Sequence, residues 1–308
     1  MHNNIPDFLY TLLLEQYGEE LTNLIIDGYT KKRPLTLRAN TLKTTISNVK
    51  NFLDNLEIKY KEVSWYSDAL IIENSFEKQI RNLEIYINGD IYLQSLSSMI
   101  PPIILSPKEN ENILDMAAAP GGKTTQLLAL SDNKSYITAC EKNKIRAERL
   151  KYNIDKQGAS RVNVMIKDSR TLDDFFSFDK ILLDAPCSGS GTINIYEKNL
   201  EKTFTKNLIE RSSKFQTELL NKAIKLLKNN HEMIYSTCSI LYEENEKIIK
   251  RFLDSKLVEI VPIEKDLFKN AIFLPSSVDG TLCIAPTDLY EGFFVAKLKK
   301  YKFKEKEF

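Results

Sequence analysis

Two cysteines, Cys187 and Cys238, each follow a predicted apolar strand, in the segments LLDAPCSGSGT and YSTCSI. Because ligands bind at the carboxyl ends of parallel strands, both thiols are expected at the edge of the sheet where a substrate lies. A thiolate there can add to carbon 6 of a pyrimidine ring, so that the otherwise unreactive carbon 5 can take up a methyl group. A single cysteine in such a place is more often structural, so the pair carries the chemical interpretation.

Asp184 ends the strand that precedes Cys187. Its carboxylate is predicted to hydrogen-bond the cytosine edge, which would offset charge on the ring while carbon 6 is attacked. Methyltransferases that act on exocyclic nitrogens more often carry an Asp/Asn-Pro-Pro-aromatic loop, whereas the loop here reads Asp184-Ala185-Pro186-Cys187. The loop therefore favours methylation of a ring carbon.

The segment NILDMAAAPGGKTT joins a predicted strand to a helix that is expected to begin near Gly122. A Walker A loop would need glycine where Ala117 stands, and Pro120 removes an N–H donor from the loop, so phosphate binding by a nucleoside triphosphatase is disfavoured. Gly121 and Gly122 still allow a positive φ and a close approach to the backbone. The loop favours a nucleotide-like ligand at the carboxyl ends of the strands.

Two acidic residues refine the identity of that ligand. Glu141 ends the second strand of the series, where a carboxylate meets ribose hydroxyls, and Asp168 ends the third, where it can meet an adenine ring. The Gly-x-Gly-x-x-Gly pattern of NAD sites is absent, and a ligand with ribose and adenine but no phosphate fits S-adenosylmethionine (SAM). The alternative is that both acids only cap the helices that follow them.

The order of elements predicts the fold that positions these residues. From about Tyr92 onward, apolar strands alternate with amphipathic helices, which predicts an α/β fold with a doubly wound, mostly parallel, Rossmann-like sheet of the SAM methyltransferase type. The end of the chain is expected to add a pair of antiparallel strands. The first part is predicted to be a small α+β domain. The predicted division is an RNA-binding domain at 1–88 and a catalytic domain at 89–308.

The composition excludes several classes of protein. The 308 residues are 43% hydrophobic with a formal charge of +1, and no apolar run approaches the ~20 residues that span a membrane. The amino terminus does not resemble a secretory signal. Four widely spaced cysteines and two histidines disfavour a zinc site. These features predict a cytoplasmic protein without a bound metal, with a monomer as the default.

The motifs TLRANTLK, DMAAAPGGKTT, EKNKIRAERL, DAPCSGSGT, YSTCSI and EGFFVAKL together resemble the Sun/Fmu-type RNA cytosine-5 methyltransferases over nearly the whole chain. The resemblance implies that Cys238 is the nucleophile and that Cys187 helps to release the methylated product, with Asp184 as the third catalytic residue. It also implies a SAM site in which the loop from Ala117 to Lys123 holds the methionine part of SAM. The implied cofactor-binding residues are Ala117, Ala118, Ala119, Pro120, Gly121, Gly122, Lys123, Glu141, Arg146, Asp168 and Asp184.

The segment between Asp27 and Asp54 contains no acidic residue. Its basic residues, together with the polar face of the predicted strand LTLRAN, are expected to contact RNA, although a solvated surface would show the same charge. The predicted RNA-binding residues are Lys31, Lys32, Arg33, Arg38, Asn40 and Lys43. Ribosomal RNA is favoured as the substrate. The alternatives are the same chemistry on transfer RNA, or a catalytically silent SAM- and RNA-binding factor of ribosome assembly.

Overall fold

In the computed structural model, which describes residues 5–73 and 75–301, the strands form two sheets. The smaller one is antiparallel, in the order β2-β3-β1-β4. Its strands and the helices of this part of the chain are β1 (Leu35–Ala39), β2 (Tyr60–Glu62), β3 (Ala69–Ile72), β4 (Ile91–Leu93), α1 (Asp7–Thr30), α2 (Ile46–Asn55), α3 (Glu77–Arg81) and α4 (Glu84–Ile87).

The larger sheet has eight strands, in the order β10-β12-β9-β8-β5-β6-β7, with β11 paired to β12. They are β5 (Asn112–Asp115), β6 (Tyr136–Cys140), β7 (Val162–Met165), β8 (Phe178–Asp184), β9 (Leu227–Thr237), β10 (Val258–Ile260), β11 (Leu282–Ile284) and β12 (Phe293–Lys300). The helices are α5 (Leu96–Leu105), α6 (Gly122–Leu130), α7 (Lys144–Gln157), α8 (Leu200–Thr203), α9 (Lys206–Leu226) and α10 (Glu246–Asp254).

The predicted fold is confirmed. The five strands β5 to β9 are parallel, and β10, β11 and β12 add antiparallel pairs at one side. Ile181, Leu182 and Leu183 of β8 are fully buried, as expected for a central strand with both faces covered. Within the described residues, no helix combines the length and the apolar character that crossing a membrane requires.

Local sequence signals set the helix boundaries at the carboxyl edge of the sheet. Gly121 precedes α6 with a φ of 108°, a conformation that a side chain disfavours, so the glycine allows the loop to turn into the helix. The side chain of Asn143 accepts a hydrogen bond from the backbone N–H of Arg146 and caps the start of α7. Gly158 ends α7 with a φ of 70°. These caps orient both helices away from the strand ends that carry the predicted site.

The expectation that the polar face of β1 is open to RNA is wrong for Arg38 and Asn40. Arg38 is fully buried, and its guanidinium donates to Oε1 of Gln94 at 3.0 Å and to Oγ1 of Thr125 at 2.7 Å. Asn40 is also buried and donates to the backbone oxygens of Gly89 and Gln157 at 2.8 Å each. These contacts tie the smaller sheet to α6 and α7, because a buried polar group needs a partner.

The predicted division after residue 88 stays a prediction. Strand β4, at Ile91–Leu93, pairs with β1 of the smaller sheet. At the other end, Leu9, Leu13 and Ile25 of α1 are buried in the same apolar cluster as the strands and helices of the larger sheet. Strand β4, which lies after the predicted boundary, thus belongs to the smaller sheet, and α1, which lies before it, packs with the larger sheet.

Candidate active site

The two predicted cysteines meet at the carboxyl edge of the larger sheet. Strands β8 and β9 are parallel neighbours, with Asp184 opposite Ser236. Cys187 lies three residues after the end of β8, and Cys238 directly follows β9. Both loops therefore leave the sheet at the same edge. The two sulfur atoms lie 3.0 Å apart, and both side chains are half-buried. The register of the two strands thus brings together thiols that are 51 residues apart in sequence.

The environment favours a proton on Cys187. The hydrogen bond with Cys238 raises the pKa of the Cys187 thiol well above its ordinary value, and burial and nearby negative charge act in the same direction. A thiol with a raised pKa stays protonated near neutral pH. Cys187 can therefore donate its proton to the Cys238 sulfur when that sulfur is a thiolate.

Asp184 is the last residue of β8 and faces the loop that contains Gly121 and Gly122. Its carboxylate accepts a hydrogen bond from the Ser236 hydroxyl at 2.7 Å and forms an ion pair with Lys123 at 2.7 Å. Lys123 also donates to the Ser98 hydroxyl at 2.7 Å. The ion pair of Lys123 with Asp184 thus joins the start of α6 to β8, the strand that leads to Cys187. It connects the predicted cofactor site with the predicted catalytic cysteines.

A pocket beside the loop brings together four of the predicted cofactor-binding residues, namely Ala117, Glu141, Arg146 and Asp168. Arg146 donates to the backbone oxygen of Ala119 at 2.9 Å, and its Nε lies 3.5 Å from a carboxylate oxygen of Glu141. This pocket, called the acidic pocket below, also has an apolar wall. The wall consists of Met116, Pro186, Phe215 and Leu219.

Both acids of the acidic pocket also accept local backbone hydrogen bonds, and Asp168 caps the short helix that follows it, whereas Asn143 is the residue that caps α7. Glu141 accepts from the backbone N–H of Asn143 at 2.8 Å. Asp168 accepts from the backbone N–H of Arg170 at 3.1 Å and from its guanidinium at 2.6 Å, which holds the pKa of this carboxyl below its usual range. A carboxylate has about four acceptor positions, so these bonds leave capacity for a ligand.

A second pocket lies on the other side of Ala117 and is called the loop pocket below. The predicted residues that line it are Ala117, Ala118, Ala119, Pro120, Gly122, Lys123 and Asp184. Its remaining wall was not predicted from the sequence and consists of Tyr92, Leu93, Gln94, Ser95, Ser98 and Asp115. Ala117 lines both pockets, so the two pockets adjoin at this loop.

Asp115, at the end of β5, is a buried carboxyl in the loop pocket. It accepts from the Thr124 hydroxyl at 2.7 Å, and burial raises its pKa to about 6. Relative to the unfolded chain, folding therefore favours the protonated form of Asp115, while the carboxylate predominates above about pH 6. The contribution of Asp115 to the free energy of unfolding is complete below about pH 3 and is lost as the pH rises through the folded pKa.

Asp115→Asn is expected to remove this pH dependence. In the wild type, the rise in pKa from 3.8 to about 6 corresponds to about 3 kcal/mol of unfolding free energy, which is lost between about pH 3 and about pH 7. Urea unfolding at intervals across that range measures the difference between the two proteins. Asp279→Asn, which changes an exposed acid, is the matched control. Parallel curves for the wild type and Asp115→Asn would contradict the expectation.

Several residues of the site had little or no sequence signal. Asp115 was detectable, because it is an acid at the end of a strand, and the same signal selected Glu141, which directly follows β6, and Asp168, which lies three residues after β7. Phe215 and Ser98 come from α9 and α5, and nothing in their local sequence marks them as neighbours of the loop. Within the described residues, no group of three or more His, Cys, Asp or Glu side chains could hold a metal ion.

Among the predicted RNA-binding residues, three lysines are exposed. Lys31 pairs with Asp27 at 2.9 Å, Lys32 lies over the ring of Phe76 at 5.6 Å, and Lys43 donates to a backbone oxygen at 2.8 Å. Arg33 is half-buried and donates to the backbone oxygen of Tyr290 at 2.8 Å. These four side chains are at least partly exposed to solvent, whereas those of Arg38 and Asn40 are buried.

Two family models match the chain. The model of the family described as 16S rRNA methyltransferase RsmB/F matches residues 102–299, and a model described as an RsmF/B-like ferredoxin-like domain matches residues 5–78. The chain belongs to the RsmB/F methyltransferase family. The resemblance to the Sun/Fmu-type enzymes is thereby confirmed. The first match covers the larger sheet and both cysteines, and the second covers β1 to β3.

Named relatives of this RsmB/F family chain include proteins that act on different RNAs. It is 33% identical over 96% of its length to a 28S rRNA (cytosine-C(5))-methyltransferase of Mus musculus, of which it covers 39%. It is 36% identical over 79% of its length to a tRNA (cytosine(72)-C(5))-methyltransferase of Pyrococcus horikoshii, of which it covers 62%. The chain therefore spans less than two thirds of each of these relatives.

A solved structure of NSun6 from Pyrococcus horikoshii with SFG is similar to the chain over its whole extent. The TM-score is 0.86 at 25% sequence identity, and the match covers 98% of this chain and all of that one. Both the smaller and the larger sheet are thus part of the shared fold.

Proposed function

We propose that the chain transfers the methyl group of SAM to carbon 5 of a cytosine in RNA, through a covalent bond between Cys238 and carbon 6. The observation that carries this proposal is the pair of sulfur atoms, 3.0 Å apart, at the sheet edge that also presents Asp184 to the loop pocket. Family membership and the names of the relatives support the same reaction.

The residues of the two pockets fit SAM. In the acidic pocket, the carboxylates of Glu141 and Asp168 suit ribose hydroxyls and the adenine edge, and the apolar wall with Phe215 suits a flat ring. The loop pocket offers Lys123 for a carboxylate, and it offers Asp115 and Asp184 for cationic groups. SFG, present in the similar NSun6 structure, is an analogue of SAM. When bound, SAM supplies the methyl group.

The proposed reaction follows from the roles of the two thiols. The Cys238 thiolate forms a bond to carbon 6, and the electron pair of the ring double bond moves to carbon 5. Carbon 5 would then take up the methyl group as the bond between that methyl group and the cofactor sulfur breaks, with its electron pair on sulfur, which leaves S-adenosylhomocysteine. A base then removes the proton of carbon 5. The pair from that C–H bond restores the double bond, and the bond between carbon 6 and Cys238 breaks with its electron pair on sulfur. Cys187 stabilises the departing sulfur by donating its proton in a hydrogen bond.

Incubation of the protein with unmodified RNA and SAM carrying a labelled methyl group tests the proposal. The expected product is 5-methylcytidine in the digested RNA, identified by mass spectrometry. A silent SAM- and RNA-binding factor would bind both partners and form no labelled nucleoside. Label found only on an exocyclic nitrogen or a ribose oxygen would exclude the proposed chemistry.

We further propose ribosomal RNA as the substrate, on the basis of the family description and the mouse relative. The archaeal relative makes transfer RNA the alternative. Bisulfite sequencing of total RNA from a strain that lacks the gene, compared with its parent, separates the two. A missing 5-methylcytosine in ribosomal RNA is expected, and one missing only from a transfer RNA would replace this part of the proposal.

RNA binding is proposed to involve the exposed lysines 31, 32 and 43, because each can contact a phosphate. The double substitution Lys31→Gln and Lys32→Gln is expected to weaken RNA binding and to reduce the slope of log affinity against log salt by about 2. Binding titrations over a salt series measure this slope. Lys265→Gln with Lys269→Gln removes the same charge from another exposed segment and is the matched control. An equal loss in both double variants would contradict a specific role.

A further inference from the structure

Glu244 is a fully buried carboxylate that links the two loops bearing the thiols. It lies in a short 3-10 helix, Tyr242–Glu244, that follows β9. We propose that Glu244 is a positioning residue, which holds the Cys187 and Cys238 loops together so that the two sulfur atoms stay in contact. The catalytic meaning of this inference rests on the proposed function, whereas the geometric part can be tested without it.

The hydrogen bonds of Glu244 reach the residue after each cysteine. From the Cys187 loop, the backbone N–H of Ser188 donates to Oε1 at 2.8 Å and the Ser188 hydroxyl donates to Oε2 at 2.5 Å. From the Cys238 loop, the Ser239 hydroxyl donates to Oε2 at 2.6 Å. A single carboxylate therefore fixes the residue next to each thiol, and hydrogen bonds to a charged acceptor are the strong kind.

The carboxylate is itself held in place from the scaffold. Gln216 of α9 donates to Oε1 of Glu244 at 3.1 Å and to the backbone oxygen of Pro186 at 3.0 Å. The hydroxyl of Tyr235, in β9, donates to the backbone oxygen of Glu244 at 2.6 Å. The position of Glu244 is thus set by one helix and one strand, so it can act as a rigid bridge between two loops.

Within residues 5–73 and 75–301, the Glu244 carboxylate accepts from four hydrogen-bond donors and forms no ion pair with a cationic side chain. Its charge is one of the causes, after the hydrogen bond with Cys238, burial and the charge of Cys238, that raise the pKa of the Cys187 thiol. The same carboxylate that sets the distance between the sulfurs therefore also favours the protonated form of Cys187, which the release step uses.

Disulfide trapping in the absence of RNA and SAM tests the positioning directly. Diamide takes two hydrogens from the thiols and is reduced to the hydrazine, while Cys187 and Cys238 form a disulfide that peptide mass spectrometry identifies. In the wild type, sulfur atoms 3.0 Å apart should react rapidly. Glu244→Ala leaves the Ser188 N–H without its acceptor and is expected to slow disulfide formation about tenfold. Glu244→Gln keeps the size of the side chain and should slow it less.

Two further measurements separate positioning from a general loss of structure. The dissociation constant for SAM and the KM for SAM should stay within about twofold of the wild type, while kcat falls together with the disulfide rate. Glu243→Gln, which removes one negative charge at the adjacent position, is the matched control and should react like the wild type. If Glu244→Ala does not fold, Ser188→Ala removes one of the same bonds and takes its place.

The outcomes distinguish this inference from the proposed function. A wild-type rate of disulfide formation in a folded Glu244→Ala protein would overturn the positioning role, even if methyl transfer is found. Slower disulfide formation in a chain that methylates no RNA would support the positioning role and remove the proposed function. A loss of SAM binding in Glu244→Gln equal to its loss of turnover would also overturn the inference, because it would indicate damage to the whole site.

Discussion

Cys238→Ala is expected to lower methyl transfer to cytosine by about a thousandfold or more, because the bond to carbon 6 can no longer form and carbon 5 stays unreactive. The cofactor pockets do not include Cys238 among their lining residues, so SAM binding should persist. Transfer of a labelled methyl group into RNA measures the first effect, and a binding titration with S-adenosylhomocysteine measures the second.

The chain offers its own control for this experiment. Cys283 is a buried cysteine that contacts the hydroxyl of Tyr17 at 3.5 Å, within the main apolar cluster. Cys283→Ala removes a thiol that lies outside both thiol-bearing loops, so the rate per folded molecule should stay near that of the wild type. A Cys238→Ala protein that is as active as the Cys283→Ala protein would exclude Cys238 as the nucleophile and would end the proposed mechanism.

Cys187→Ala is expected to trap the protein on its RNA. Attack by Cys238 and uptake of the methyl group do not need the second thiol, whereas the departing Cys238 sulfur loses the hydrogen bond that its neighbour supplies at 3.0 Å. Breaking of the bond to carbon 6 therefore slows, and the covalent protein–RNA complex accumulates when SAM is present. A denaturing gel with labelled RNA should show a band of lower mobility that the wild type lacks.

The double variant Cys187→Ala with Cys238→Ala identifies the bond in that complex. If Cys238 forms it, the band disappears in the double variant and returns when Cys238 is restored. A band that persists in the double variant would assign the bond to another residue. Normal turnover by Cys187→Ala, with no trapped RNA, would show that release does not depend on this thiol.

Both predictions depend on features that local sequence could reveal. Residues 181–183 of β8 and residues 233–235 of β9 are apolar, and each run is followed within a few residues by a cysteine. The carboxyl ends of both strands and the place of both thiols were therefore predictable. The same holds for Glu141, which directly follows β6, and for Asp168, which lies three residues after the end of β7. The parallel arrangement follows from the alternation of strands and helices, because neighbouring parallel strands need a helix between them.

Arg38 and Asn40 show where this reasoning fails. Alternation along LTLRAN correctly predicted a strand with two faces, and a polar face normally lies in solvent. Here the polar face of β1 packs against α6 and α7, and Arg38 finds its partners in Gln94 and Thr125, which are 56 and 87 residues away. Sequence periodicity shows which side chains share a face, but it does not show what covers that face.

By itself, the sequence determined the class of fold, the order of strands and helices, the loop with Gly121, and the strand ends that carry Asp184, Cys187 and Cys238. Each of these depends on neighbours in the chain, through backbone geometry and local hydrogen bonds. Only the tertiary structure decided the 3.0 Å contact between the two sulfurs, the ion pair of Lys123 with Asp184, and the bridge formed by Glu244. Those contacts join residues from separate loops and elements, and their distances depend on strand register and on packing across the sheet, which no local pattern encodes.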